Sequence, residues 1–331
     1  MGKGILLEAG LTLIAVFVLT FCLGRIIIPI LKSHKAGVRI LDIGPRWHKS
    51  KEGTPIMGGI CFILAILLTV LGVTLVAAYR GTVKELLPLA LTLVLAVGNG
   101  MIGFVDDFCK LVKKQNEGLR PWQKMVLQFL IALLYLVAMV RFGGLTTALY
   151  LPYFGLEIEL GIFYYLLAML VIIGFVNSVN LTDGVDGLAS SVTLAVGLFF
   201  AVAAYLSADR SLILTAACTV GGTLGFLMYN FHPARVFMGD TGSLFLGGIV
   251  VGAAFCMNNP LILLVVGFIY LCEAVSVMLQ IGYFKLTHGK RLFKMAPIHH
   301  HFEKCGWSEN QIVFTFTGIT LLFAGLALFG I

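Results

Sequence analysis

Long, nearly uninterrupted runs of apolar residues set the pattern of this chain. Each is about 20 residues long, enough at ~1.5 Å per residue to cross a hydrocarbon layer roughly 30 Å thick. Lipid offers the backbone no hydrogen-bond partners, so such runs must be helices. They do not alternate apolar with polar, which argues against a β-barrel. The expected spans are roughly 5–31, 58–79, 86–106, 124–141, 161–177, 188–206, 211–229, 242–257, 261–286 and 310–330. Between the fourth and fifth, Leu145–Gly161 alternates weakly around Pro152 and Gly155 and predicts a short hairpin. No linker or charge block divides the chain, so a single all-α polytopic membrane domain over residues 1–331 is expected.

Composition sharpens this picture. Of 331 residues, 59% are hydrophobic and 12% charged, where a soluble domain carries roughly 25% charged residues. The net charge of +7 does not point to nucleic acid, because the basic residues lie in short loops between apolar spans. With the N-terminus outside, the inner loops hold 17 Lys and Arg and the outer side 5, a bias that predicts an N-out, C-out topology with five cytoplasmic loops. The first apolar run lacks a cleavage site and is expected to be retained. The seven cysteines show no CxxC pair, so neither a disulfide framework nor a zinc knuckle is expected. Gly221–Gly225 and Gly248–Gly252 are GxxxG pairs suited to helix packing.

The unusual polar residues fall on one side. Asp106, Asp107, Asp183, Asp186, Asp240, His299, His300 and His301 all map to the predicted cytoplasmic loops or adjoining helix ends. Carboxylates at a membrane boundary are costly unless paired or bound to a cation. Asp106–Asp107 closes the third predicted span, where a helix C-terminus disfavours negative charge, so a positive partner is required. In Asn177–Ser191, Asp183 and Asp186 would share a face if the loop enters a helix there, and Gly184 and Gly187 permit close approach by a ligand. The plain alternative is that Thr182 or Asp183 caps the sixth span. Asp240 stands at a predicted helix start among Gly239, Thr241, Gly242 and Ser243, suited to a metal or phosphate, with N-capping the simpler reading. Asn230 and Phe237 offer a polar contact and a stacking ring for a base. Three consecutive histidines cannot all point at one metal, so His299–His301 divide their roles. Lys124, Lys49 and Lys51 read first as topology residues and, as a group, as neutralisers of phosphate.

Acids, histidines and lysines at a membrane boundary suit phosphate esters, because phosphoryl transfer needs charge neutralisation and positioning above all. Magnesium is the natural ion, since it takes few carboxylates and keeps water and phosphate oxygens. A GxxxxGK[ST] loop is absent. The depth of the site implies a lipid substrate.

The blocks GTPIMGG, GFVDDFCK, VNLTDGVDGLA, FMGDTGS and APIHHHFEKCGW occur in that order along the whole chain. Together they resemble the polyprenyl-phosphate N-acetylhexosamine-1-phosphate transferases. The His triplet followed by Phe302–Glu303 is most similar to the phospho-N-acetylmuramoyl-pentapeptide transferase branch. The resemblance implies transfer of phospho-MurNAc-pentapeptide from its UDP carrier to undecaprenyl phosphate, giving lipid I and UMP, with Mg²⁺ required. It implies a multi-pass protein of the bacterial inner membrane, ten spans and a homodimer. Carried over by motif, Asp240 resembles the principal magnesium ligand with Asp107 beside it. Asp106 and Asp107 resemble the pair near the lipid phosphate, with the base open between them. His299 and His300 resemble the catalytic histidines. Lys124 resembles the phosphate-site lysine, and the loop lysine is Lys49 or Lys51. Asn180, Asp183, Asp186, Asn230, Phe237 and His301 fall on the substrate side.

Three rivals differ in testable ways. A sister transferase would use UDP-GlcNAc. A membrane prenyltransferase should show two DxxxD motifs, which Asp106–Asp107 is not. A transporter would place its ionisable residues near the bilayer midplane, often in repeats.

Overall fold

The computed structural model describes residues 2–33, 51, 53–113 and 118–331. Lys35, Arg39, Arg46, Lys49 and Lys114 lie outside them, so of the two candidate loop lysines only Lys51 is placed. Among the described residues, ten helices are long and apolar enough to cross a membrane. They are α1 (Lys3–Ser33), α2 (Ile60–Tyr79), α3 (Leu87–Lys113), α4 (Pro121–Ala138), α5 (Ile162–Thr182), α6 (Leu188–Ser207), α7 (Arg210–Asn230), α8 (Gly239–Cys256), α10 (Phe268–Leu286) and α12 (Glu309–Ala327). Two short helices, α9 (Leu263–Val266) and α11 (Ile298–Lys304), flank α10. The protein is an all-α, multi-pass membrane protein.

Local sequence explains where several helices start. Pro121 opens α4, where its missing N–H costs nothing. The Asp209 carboxylate accepts from Leu212 N at 2.9 Å and caps α7. Ser308 and Gln311 form a capping box for α12. The predicted run 261–286 is not one helix. It comprises a 3₁₀ turn at Pro260–Ile262, α9, and then α10, because Gly267 leaves helical geometry beside the Phe175 ring. Nothing in its apolar composition reveals that break.

Packing sorts the helices into centre and rim. The membrane windows of α7 and α8 are each 83% buried and that of α6 72%, against 22% for α1 and α10, which lie at the rim. Small residues make the central contacts. A side chain at Gly221 or Gly225 would strike α1 at the Leu13 and Phe17 carbonyls, 2.5 and 2.8 Å away. One at Gly248 would come within 2.6 Å of Ala96 Cα on α3. Both GxxxG pairs therefore serve packing within the chain. All seven cysteines are free.

The two ends of the bundle differ. At the end that holds the N-terminus of α1, Arg210 bonds Glu8 at 2.7 and 2.9 Å and Glu85 at 2.9 Å, tying α7 to α1 and to the entry of α3. The predicted hairpin is present: β1 (Ala148–Leu151) pairs antiparallel with β2 (Leu156–Glu159), Ala148 opposite Glu159. The acidic and histidine motifs gather at the opposite end.

Candidate active site

The first centre forms where α3, α4, α5 and α8 meet. Asp106 and Asp107 lie about two turns before the end of α3, which corrects the expectation that they terminate it. Leu111 and Val112 carry the helix beyond the predicted limit, and Lys110 and Lys113 in its last turn suit the C-terminal dipole. The required positive partners are two lysines. Lys110, one turn on, places Nζ 2.6 Å from Asp106 Oδ2, 3.5 Å from Asp240 Oδ2 and 3.8 Å from Asp107 Oδ1. Lys124, in the first turn of α4, lies 2.9 Å from Asp106 Oδ1 and 2.7 Å from Asp240 Oδ2.

Backbone and neutral side chains fix the rest. Leu119 N donates to Asp106 Oδ1 at 2.7 Å. Thr241 N and Oγ1 donate to Asp107 Oδ2 at 2.9 and 2.7 Å. Asn180 Nδ2 donates to Asp240 Oδ1 at 3.0 Å and to Ser243 Oγ at 2.7 Å. Asp240 does not cap α8: the helix begins at Gly239, and the Asp240 carboxylate turns to Lys124 and Asn180. Gly239 has φ +70°, and a side chain there would come within 2.5 Å of Asp107 Oδ2, so only glycine serves.

Asp106, Asp107 and Asp240 each offer an oxygen within 4.8 Å of the other two. Three carboxylates against two ammonium groups leave this group one negative charge in excess. Hard oxygen donors with surplus negative charge fit a hydrated divalent cation.

The second centre joins segments far apart in sequence. Lys51 Nζ lies 2.6 Å from Asp186 Oδ1 and 2.6 Å from Glu309 Oε2. Asp186 Oδ2 meets His232 Nδ1 and accepts from Ala234 N, both at 3.0 Å. The loop bearing Lys51 is docked by backbone bonds, Phe237 N to Pro55 O at 2.9 Å and Gly58 N to Phe237 O at 2.9 Å. The half-buried Phe237 ring lies 6.0 Å from Lys51 Nζ. Asn230 is buried, accepting from Ser190 Oγ and donating to Val236 O. Its amide holds the 231–238 loop in shape.

The histidines ride on the short helix α11, where sequence predicted a loop, and the helical turn splays them apart. His299 Nδ1 meets Glu273 Oε2 at 3.0 Å, with both side chains fully buried. Its Nε2 faces Gly184, where any side chain would overlap it. His300 Nδ1 meets Glu303 on the same helix. His301 Nδ1 accepts from Lys294 N at 3.1 Å, beside Phe293 and Cys305. The structure thus brings His299 to the Asp183–Gly187 turn and turns His301 elsewhere.

That turn is the junction of the two centres. Asp183 caps the C-terminus of α5 and α6 starts only at Leu188, so Asp183 and Asp186 do not share a helix face. Gly187, at φ +77°, lies beyond both acids and is the residue from which α6 starts. Thr182 bonds Ser178 O and caps nothing. Burial pushes the Asp183 carboxyl well above the usual carboxylate range, and the negative charges of Asp240, Asp107 and Asp186 push it the same way.

Above about pH 4 an unfolded Asp has lost its proton while folded Asp183 keeps it, so stability falls as pH rises through that interval. Asp183→Asn should therefore raise the melting temperature in EDTA at pH 8, with the gain vanishing toward pH 4. Melting curves of the two proteins across this range check it; a pH-independent difference would contradict it.

Sequence reasoning missed four residues joined to these centres. Lys110 was legible from its i+3 and i+4 spacing to Asp107 and Asp106. Glu273 was legible as a lone acid within an apolar span. Glu309 and His232 carry no local sign, since their partners are distant in sequence.

The chain is similar to known proteins over nearly its whole length. The family model described as Glycosyl transferase family 4 matches residues 89–258, which contain both lysines and all three carboxylates of the first centre. The chain is 45% identical over 327 residues to the phospho-N-acetylmuramoyl-pentapeptide-transferase of Clostridioides difficile (strain 630), covering 98% of each. It is 44% identical to the protein of that name from Caldicellulosiruptor bescii, covering 97% of each. It is 42% identical to that of Halalkalibacterium halodurans, covering 96% of each.

Proposed function

Because the chain belongs to glycosyl transferase family 4 and, within it, to the phospho-N-acetylmuramoyl-pentapeptide transferases, we propose that it converts UDP-MurNAc-pentapeptide and undecaprenyl phosphate to lipid I and UMP. The observation that carries this is the first centre: three carboxylates held by Lys110 and Lys124 at the edge of an apolar bundle. Phosphate esters need such charge there, and a lipid phosphate can reach it from the bilayer. The excess of Lys and Arg in loops at this end supports a cytoplasmic site, with the protein in the bacterial inner membrane. A homodimer belongs to the same proposal.

In the reaction an oxygen of the lipid phosphate attacks the phosphorus attached to the sugar. The bond from that phosphorus to the bridging oxygen breaks, and UMP leaves with the bonding electrons. Asp240 and Asp107 would hold Mg²⁺, which supplies charge neutralisation at the phosphates. Lys110 and Lys124 would neutralise phosphate oxygens. Both oxygens of Asp106 are engaged, by Lys110, Lys124 and Leu119 N, so this residue orders the lysines. Asp107 Oδ2 is likewise committed to Thr241, whereas Oδ1 meets Lys110 only at 3.8 Å and is the oxygen that would face Mg²⁺. Glu273 holds the His299 ring so that Nε2 faces the Asp183–Gly187 turn. Phe237 offers its ring to the uracil, with Lys51 and Asp186 at the edge of that pocket.

Purified protein in detergent should release UMP from UDP-MurNAc-pentapeptide only when undecaprenyl phosphate and Mg²⁺ are both present. If UDP-GlcNAc served in its place, the chemistry would stand and the substrate would change.

A further inference from the structure

We propose that Glu309 is a positioning residue for nucleotide binding, fixing Lys51 and Asp186 in the geometry that receives the UDP end of the substrate; the proposal rests on the reading given above. Glu309 stands in the first turn of α12, yet α12 is already capped by Ser308, whose Oγ accepts from Gln311 N. Its carboxylate is therefore not needed to start the helix. It is 8% exposed and turned into the second centre. Oε2 receives Lys51 Nζ at 2.6 Å and Asp186 N at 3.0 Å, while Oε1 faces His232 Nδ1 at 3.6 Å. One side chain thus joins three segments that sequence keeps apart: the loop before α2, the turn before α6 and the loop before α8.

Among the described residues the arrangement leaves a donor for a ligand. Lys51 carries three N–H donors, of which Asp186 and Glu309 take two. The third is aimed by those two bonds, with the Phe237 ring beside it. Asp186, Glu309 and His232 also offer ligand atoms within 4.8 Å of one another. The Lys51 ammonium lies 2.6 Å from both carboxylates, so these two acids hold a lysine in place. Without the Glu309 charge, Lys51 keeps one partner in place of two, and the Asp186 N–H loses a strong acceptor.

The test compares wild type, Glu309→Gln, Glu309→Asp, Lys51→Met and the double variant Lys51→Met/Glu309→Gln. Glu309→Gln should raise KM for UDP-MurNAc-pentapeptide about tenfold or more, with kcat, KM for undecaprenyl phosphate and melting temperature nearly unchanged. Glu309→Asp, which keeps the charge, should recover part of the loss. The double variant should be no worse than Lys51→Met alone, because Glu309 acts through Lys51. Calorimetric titration with UMP, which needs no turnover, should show the same order of affinities. Wild-type UMP affinity in Glu309→Gln overturns the positioning role, as do additive losses in the double variant. So does a fall in kcat and melting temperature with KM unchanged, which marks a structural role. A wild-type chain that binds UMP but releases none from UDP-MurNAc-pentapeptide overturns the proposed reaction alone. One that neither binds nor releases UMP overturns both.

Discussion

Replacing Asp240 with asparagine is expected to abolish Mg²⁺-dependent UMP release, by at least about 10³-fold in kcat, while leaving a folded protein. Asp240 is the pivot of the first centre, reached by Lys124 at 2.7 Å, Asn180 at 3.0 Å and Lys110 at 3.5 Å. It is also the accessible one of the three acids: its side chain is 20% exposed, against 1% for Asp106 and 3% for Asp107. A ligand arriving from water or lipid meets Asp240 first. Asparagine keeps the shape but removes the negative charge a cation requires. The fold should tolerate the loss, because Lys110 and Lys124 keep Asp106 at 2.6 and 2.9 Å. The first-turn charge on α8 is worth only about 0.3–1 kcal/mol. Turnover across a Mg²⁺ series, with melting temperature measured on the same samples, decides it. Retained turnover would remove Asp240 from the reaction.

Much of the architecture was legible in the sequence because the bilayer imposes a length and a polarity that few other settings do. The ten spans and the hairpin at Pro152 and Gly155 come from apolar runs and turn residues alone. Errors arose where a helix leaves the apolar layer or breaks within it. The exit turn of α3 carries Lys110 and Lys113, which read as loop lysines because topology and catalysis both place basic residues there. The interruption at Gly267 is set by packing against Phe175, which periodicity cannot report. The same division runs through the site. Its acids and histidines stood out as charges out of place beside a membrane. Their partners did not, because Lys51 and Glu309 are 258 residues apart and meet only after the helices assemble. Glu273 is the instructive omission: an acid inside an apolar span asks for a partner, and His299 is that partner.

The fold and the chemistry are joined most tightly at Gly103, and Gly103→Ala is expected to damage both. Gly103 lies one turn before Asp107 on α3, against the start of α8. A Cβ there would overlap the carbonyl carbon and oxygen of Asp240 and crowd Thr241 N, which lies 2.6 Å from that position. These are backbone atoms at a helix start and cannot rotate away. The substitution must force α3 and α8 apart, at or above the upper end of the roughly 1–3 kcal/mol typical of overpacking. The higher helix propensity of alanine, about 1 kcal/mol, offsets only part of this. Separation would also lengthen the Thr241 bonds to Asp107, now 2.9 and 2.7 Å, and move Asp240 away from its lysines. Misplacement by about 1 Å can cost 10²-fold in rate, so kcat should fall with the melting temperature. Gly98→Ala supplies the control on the same helix. A Cβ at Gly98 meets only the Ile131 side chain at 3.0–3.4 Å, which can shift, so stability and kcat should stay near wild type. Melting curves and UMP release for both variants separate the cases. Wild-type behaviour of Gly103→Ala would mean that the α3–α8 contact yields freely, and that the spacing of Asp107 and Asp240 is set by something other than this glycine.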